Sequence, residues 1–180
     1  MITENRLYTV EEFERFVELP ENNDRLFEFI GGDIYEVPSN PYSSKIAALI
    51  IIAIGIFLRD HDLGHITTEE GGYVVSGERY APDVAFISKA RQPELPRQGY
   101  NPLPPDLAVE VVSPSDSPQK VTTKVGNYLA AGTVVWVVYP QSKQVAIHVS
   151  GQPVKTLDEK GILDGGNVLP GFKMAVKDIF

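Results

Sequence analysis

Cysteine is absent from the 180 residues, which removes disulfides, thiolate zinc sites and any cysteine nucleophile in one step. No apolar run is long enough to span a bilayer. The longest, Ile46 to Leu58, has thirteen residues between Lys45 and Arg59, where a spanning helix needs about twenty. It reads as a core helix, and a helix apolar on most sides is expected to be buried on most sides. Met1-Ile-Thr-Glu-Asn-Arg6 has no basic segment leading into an apolar stretch, so no signal peptide is visible. The expectation is a soluble, cytoplasmic protein with no membrane partner.

Positive charge is also scarce, with 16 Lys and Arg against 24 Asp and Glu. That balance is poor for a phosphate-rich partner. The deficit is local, however. Residues 1–36 hold ten acidic and three basic residues, and the remainder is close to neutral. Several common sites are missing as well. Gly72-x4-Gly77 is followed by Glu78-Arg79 and lacks the Lys-Ser/Thr of a P-loop, and no Gly-x-Ser-x-Gly elbow occurs. His61, His65 and His148 form no short ligand motif.

What is present is a globular composition, 43% hydrophobic and 22% charged, in a length suited to one domain over residues 1–180. Thr9-Val-Glu-Glu12 is a capping-box pattern that opens a helix over about 9–19. Leu26–Ile30 and Ile34–Val37 flank Gly31-Gly32-Asp33 as a hairpin. Pro38 to Pro41 precedes a long helix over roughly 42–60. Strands are expected near 65–69, 73–76, 83–88 and 106–113, with a loop of about seventeen residues, Ala90 to Asp106, between the last two. A loop that long is usually functional or disordered, and its Arg91 and Arg97 are candidate phosphate contacts. Ser117-Pro118 starts a helix that Gly132 ends, and strands at 134–139 and 144–149 follow. The fold class is therefore mixed α/β (α+β), a single domain with a central mixed β-sheet flanked by helices.

The chemistry-bearing anomalies are carboxylates inside apolar strands. Glu110 interrupts Leu107-Ala-Val-Glu-Val-Val112, Asp83 opens Asp-Val-Ala-Phe-Ile87, and Glu28 lies between Phe27 and Phe29. Buried carboxylates are costly unless paired or metal-bound. The nearest counter-charge is Lys124 on the 118–131 helix, one turn from Lys120 and Tyr128, with Lys120 a competitor for the role. Carboxylates converging on one point suit a hard divalent cation, Mg²⁺ first. Such a site can hydrolyse a phosphodiester.

Tyr80-Ala-Pro-Asp-Val84, Pro105-Asp-Leu-Ala-Val-Glu-Val-Val-Ser-Pro-Ser115 and Lys124-x3-Tyr128-x2-Ala131-Gly132 together resemble the Uma2 family of restriction-endonuclease-like proteins. Thr9–Phe13 and Phe27–Asp33 resemble its N-terminal pattern, so the likeness covers nearly the whole chain. The resemblance implies the PD-(D/E)xK nuclease fold and a Mg²⁺- or Mn²⁺-dependent DNA endonuclease. It implies that Asp83 and Glu110 ligate the metal with the Val111 carbonyl, and that Glu28 completes the site or binds a second ion. The family's usual lysine, two positions after Glu110, is here Val112; the resemblance implies its replacement by Lys124. Many relatives carry a histidine near Pro41-Tyr-Ser-Ser-Lys45, which has none. A homodimer joining two sites would suit double-strand cleavage. The alternatives are a degenerate binding or structural module on the same scaffold, and a metal-dependent hydrolase of a small phosphorylated or nucleotide substrate.

Overall fold

The computed structural model describes residues 7–37, 40–114 and 116–180; Pro38 and Ser115 of the motifs above, like Met1–Arg6, lie outside the described residues. The first helix, α1 (Val10–Val17), starts on the predicted capping box. Glu12 N donates to Thr9 Oγ1 at 3.2 Å, and Thr9 N donates to Glu12 Oε2 at 2.9 Å. Strands β1 (Phe27–Ile30) and β2 (Asp33–Glu36) form the expected hairpin. Its turn residues, Gly31 and Gly32, both take positive φ, which suits the twist of a two-residue connection.

Helix α2 (Pro41–Asp60) is followed by β3 (Gly64–Thr68), β4 (Tyr73–Val75), β5 (Glu78–Tyr80), β6 (Val84–Ser88) and β7 (Leu107–Val111). Helix α3 (Pro118–Ala130) then leads to β8 (Val134–Tyr139), β9 (Gln144–His148), β10 (Lys155–Leu157), β11 (Ile162–Asp164) and β12 (Lys173–Ala175). A six-stranded sheet in the order β10-β9-β8-β7-β6-β3 forms the centre. It is mixed because β7 and β8 run parallel, joined through α3, and its other pairs are antiparallel. A second sheet, β2-β1-β5-β4, and the β11-β12 ribbon complete the domain. The sequence reading had no β5 and so no second sheet.

The central sheet has an apolar layer on each face. Leu107, Val109 and Val111 of β7 pack with Ile46, Ile50 and Ile54 of α2, whereas Ala108 packs with Val125 and Tyr128 of α3. Side chains alternate along a strand, so Glu110 falls on the α3 face. The expectation that α2 is buried on most sides is corrected. One face of this helix is in the core, while Ile52 and Ile56 are more than half exposed. By length and composition alone the helix could cross a membrane; its apolarity exceeds what the sheet covers.

The loop between β6 and β7 is tied down along its length. Arg91 donates to the Pro104 carbonyl at 3.1 Å and pairs with Asp106 at 2.9 Å. Asn101 exchanges backbone hydrogen bonds with Gly72 and Val74, and Tyr100 OH donates to the Phe27 carbonyl at 3.1 Å. Arg91 is thus a strap of the loop rather than a free phosphate contact.

Candidate active site

Strand register sets Asp83 against Glu110. β6 pairs antiparallel with β7 as Val84↔Val109 and Ala85↔Ala108; one step further, Asp83 falls opposite Glu110, both on the α3 face. Asp83 Oδ2 accepts the Val111 amide hydrogen at 2.6 Å. Glu110 Oε2 accepts from Lys124 Nζ at 2.6 Å, and Glu110 Oε1 accepts from Tyr128 OH at 2.9 Å. Residues four apart share a helix face, so α3 delivers both donors to one carboxylate.

Glu28 comes from the second sheet and is 2% exposed. Its Oε1 accepts from Lys124 Nζ at 2.7 Å and from Ala81 N at 3.0 Å, and its Oε2 lies 3.4 Å from Lys120 Nζ. Lys120 also approaches Asp116 at 3.7 Å. Lys124 is therefore clamped between Glu28 and Glu110, and Lys120 is held beside it. The structure brings together all four residues expected at the site.

Charge in this cluster is unevenly met. Burial raises Asp83 to about 6 against the weaker pull of the Val111 amide and Lys124. Burial likewise raises Glu110 to about 7; Lys124 opposes this, while Glu28 and Asp83 add to it. For Glu28 burial acts upward too, but Lys124 and Lys120 together hold it below the usual carboxylate value. Lys124 resists its burial because Glu110 and Glu28 face it, and stays protonated. Glu28 is thus the lysines' counter-ion, and the surplus negative charge rests on Asp83 and Glu110.

These groups line one cleft of about 60 Å³, to which Asn40 and Ser43 of the α2 end also contribute. Among the described residues, no group of three or more His, Asp or Glu is arranged to hold a metal ion. The smaller set of Asp83, Glu110 and the intervening Val111 peptide offers only hard oxygen donors. No cation pairs with Asp83 at ion-pair distance among the described residues. That donor set fits a hard divalent cation.

Behind Lys124 lies a polar layer that the sequence reading missed. Lys124 Nζ is 5.5 Å from the centre of the Tyr80 ring. Asn127 Nδ2 donates to Tyr80 OH at 2.6 Å and to Glu78 Oε2 at 2.9 Å, and Tyr80 OH donates to the same Glu78 oxygen. Glu78 and Tyr80 are on β5, which is joined to β4 through Ser76 and Gly77, both at positive φ. Val75-Ser-Gly-Glu78 was the signal: two turn residues between short strand segments mark a hairpin.

A mixed sheet with Glu110 on β7, Asp83 just ahead of the neighbouring β6, and a lysine supplied from the flanking helix fits the restriction-endonuclease-like class. The chain belongs to the Uma2 family, whose model is described as "Putative restriction endonuclease" and matches residues 10–177. Among solved structures it is similar to a "putative nuclease belonging to DUF820" from Anabaena variabilis ATCC 29413. The TM-score is 0.81 at 22% identity, over 96% of this chain and 97% of that one. At that identity the likeness shows the fold. No curated protein matches the chain.

Proposed function

We propose that this protein is a metal-dependent nuclease that hydrolyses phosphodiester bonds in DNA. The observation that carries the reading is that Asp83, just ahead of β6, accepts the amide hydrogen of Val111, the residue after Glu110 on β7, while Lys124 is bonded to Glu110. Asp83, Glu110 and the Val111 carbonyl would hold Mg²⁺, or Mn²⁺ in its place. When bound, the ion supplies a Lewis acid for the phosphoryl group and lowers the pKa of water. Glu28 fixes the Lys124 ammonium, which is placed to orient an attacking water or stabilise charge developing on phosphate. Tyr128 fixes the Glu110 carboxylate from its other oxygen. Two copies in a cytoplasmic homodimer would present one such centre to each strand.

A second reading has one observation in its favour. Glu28, Lys124 and Glu110 satisfy one another without any ion, as they would in a catalytically degenerate module. Cleavage of supercoiled plasmid with Mg²⁺ or Mn²⁺ separates the two. Wild-type nicking that is metal-dependent and lost in both Glu110→Ala and Lys124→Ala supports the nuclease. Equal cleavage by all three exposes a contaminant, and no cleavage by any supports the module.

A further inference from the structure

The cleft has a wall that the proposed metal centre does not use. It is the first turn of α2, where Asn40 and Ser43 line the same space as Asp83, Glu110 and Lys124. Ser43 is 9% exposed and stands apart from the other buried polar residues. Asn22, Asn101 and Thr133 each donate a side-chain hydrogen bond, Glu28 and Lys124 bond each other, and Ser113 is engaged. The Ser43 hydroxyl has no partner among the described residues. Yet no fully enclosed side-chain nitrogen or oxygen among them lacks one. The Ser43 oxygen must therefore retain access to open space, and Ser43 is one of the residues that line the cleft.

The rest of this wall has the same polarity. Asn40 caps α2 through Oδ1, which accepts from Tyr42 N at 3.0 Å and Ser43 N at 3.4 Å. Its Nδ2 hydrogens have no acceptor among the described residues. The positive end of a 20-residue helix lies at this point. Across the cleft, Lys120 is held more loosely than Lys124, at 3.4 and 3.7 Å from its carboxylates. A wall with donors to spare, beside a floor of carboxylates, suits an anionic ligand that can span both.

We infer that Ser43 Oγ and Asn40 Nδ2 form a subsite for a non-bridging phosphate oxygen of a nucleic-acid strand, next to the Asp83–Glu110 centre. The choice of a nucleic-acid ligand rests on the nuclease reading; the unpartnered donors do not.

Two substitutions test the subsite without threatening the fold. Ser43→Ala removes a hydroxyl that has no partner among the described residues and installs a better helix former. Asn40→Asp caps equally well and adds a charge that the helix end favours, but it replaces two donors with a repelling carboxylate. Binding of a short fluorescein-labelled DNA duplex is read by anisotropy, with Ca²⁺ replacing Mg²⁺ so that affinity is measured apart from cleavage. Ser43→Ala should bind about tenfold more weakly than wild type and Asn40→Asp more weakly still, both melting at or above the wild-type temperature. Equal affinity in all three proteins, no binding by wild type, or a Ser43→Ala variant that melts well below wild type would overturn the subsite. Cleavage by wild type with affinity unmoved by either variant would remove the subsite and leave the nuclease. Binding that needs both donors, with no cleavage under any metal, would do the reverse.

Discussion

Lys124 stands 2.6 Å from Glu110 although fourteen residues separate them along the chain. The strand's own position two residues after Glu110 is Val112, which lies past the end of β7 and packs against the α3-side cluster. An apolar side chain there helps seat the helix, and the helix returns a lysine to the carboxylate. The strand's end thus supplies packing and the helix supplies charge, one in exchange for the other.

That exchange makes Lys124 a stability element as well as a candidate catalytic group. In Lys124→Met, Glu28 and Glu110 would face one another in a buried site with no intervening cation. Removing one partner of a buried ion pair costs roughly 3–5 kcal/mol, and urea unfolding at pH 8 should show a loss of that size. Glu110→Gln should behave oppositely. It removes surplus negative charge and leaves Lys124 its contact with Glu28, so the metal-free variant should be at least as stable as wild type. A Glu110→Gln protein that melts lower both with and without Mn²⁺ would mark the carboxylate as purely structural.

Stability without metal should fall as pH rises through the neutral range. Asp83 and Glu110 are raised to about 6 and about 7 from ordinary values near 4. Between about 4 and 7 the folded protein therefore holds more protons than the unfolded chain. Stability declines wherever the native state binds the excess. The loss begins near the unfolded values and is complete above the folded ones, amounting to a few kcal/mol. Glu28 contributes with the opposite sign at lower pH, because its value is depressed. Thermal melts from pH 5 to pH 8 in EDTA should show the decline, and Asp83→Asn should flatten it.

Much of this site was legible in the sequence because its parts interrupt a pattern. Glu28, Asp83 and Glu110 are conspicuous in apolar strands, and helical spacing alone groups Lys120, Lys124 and Tyr128. The strand-level facts were legible as well, since the glycine pair at 31–32 and the capping box at Thr9 act locally. What was not legible depends on packing between distant segments. Nothing in Pro41–Lys45 signals that Ser43 reaches the cleft. Nothing in Arg91 distinguishes a loop strap from a solvated arginine. The exposed face of α2 was misjudged because an apolar run reports preference for burial, not the area available to bury it.

Tyr128 should matter through its hydroxyl alone. The residue is fully buried, its ring meets Tyr80 edge-on at 5.2 Å, and its OH donates to Glu110 Oε1 at 2.9 Å. Tyr128→Phe retains the ring and leaves that oxygen without its donor. The expected cost is about 1–3 kcal/mol, together with lower cleavage at unchanged DNA affinity. Unfolding measurements indistinguishable from wild type would show that the ring, not the hydroxyl, is what the site requires.

Metal should reverse the pH effect. If Asp83 and Glu110 hold a divalent ion, their repulsion becomes binding energy, and ligation favours the deprotonated carboxylates. Mg²⁺ or Mn²⁺ should raise the melting temperature of wild type, and by more at pH 8 than at pH 5.5, where protons compete for the same oxygens. A ligand present at about one hundred times its dissociation constant stabilises by about 2.7 kcal/mol, for a domain of this size a shift of several degrees. Asp83→Asn should abolish the shift, because it removes the carboxylate that no lysine among the described residues pairs with at ion-pair distance. Glu28→Gln should leave part of it, since both Glu28 oxygens already face the lysines. A shift that survives Asp83→Asn in full would place the metal elsewhere on the acidic surface.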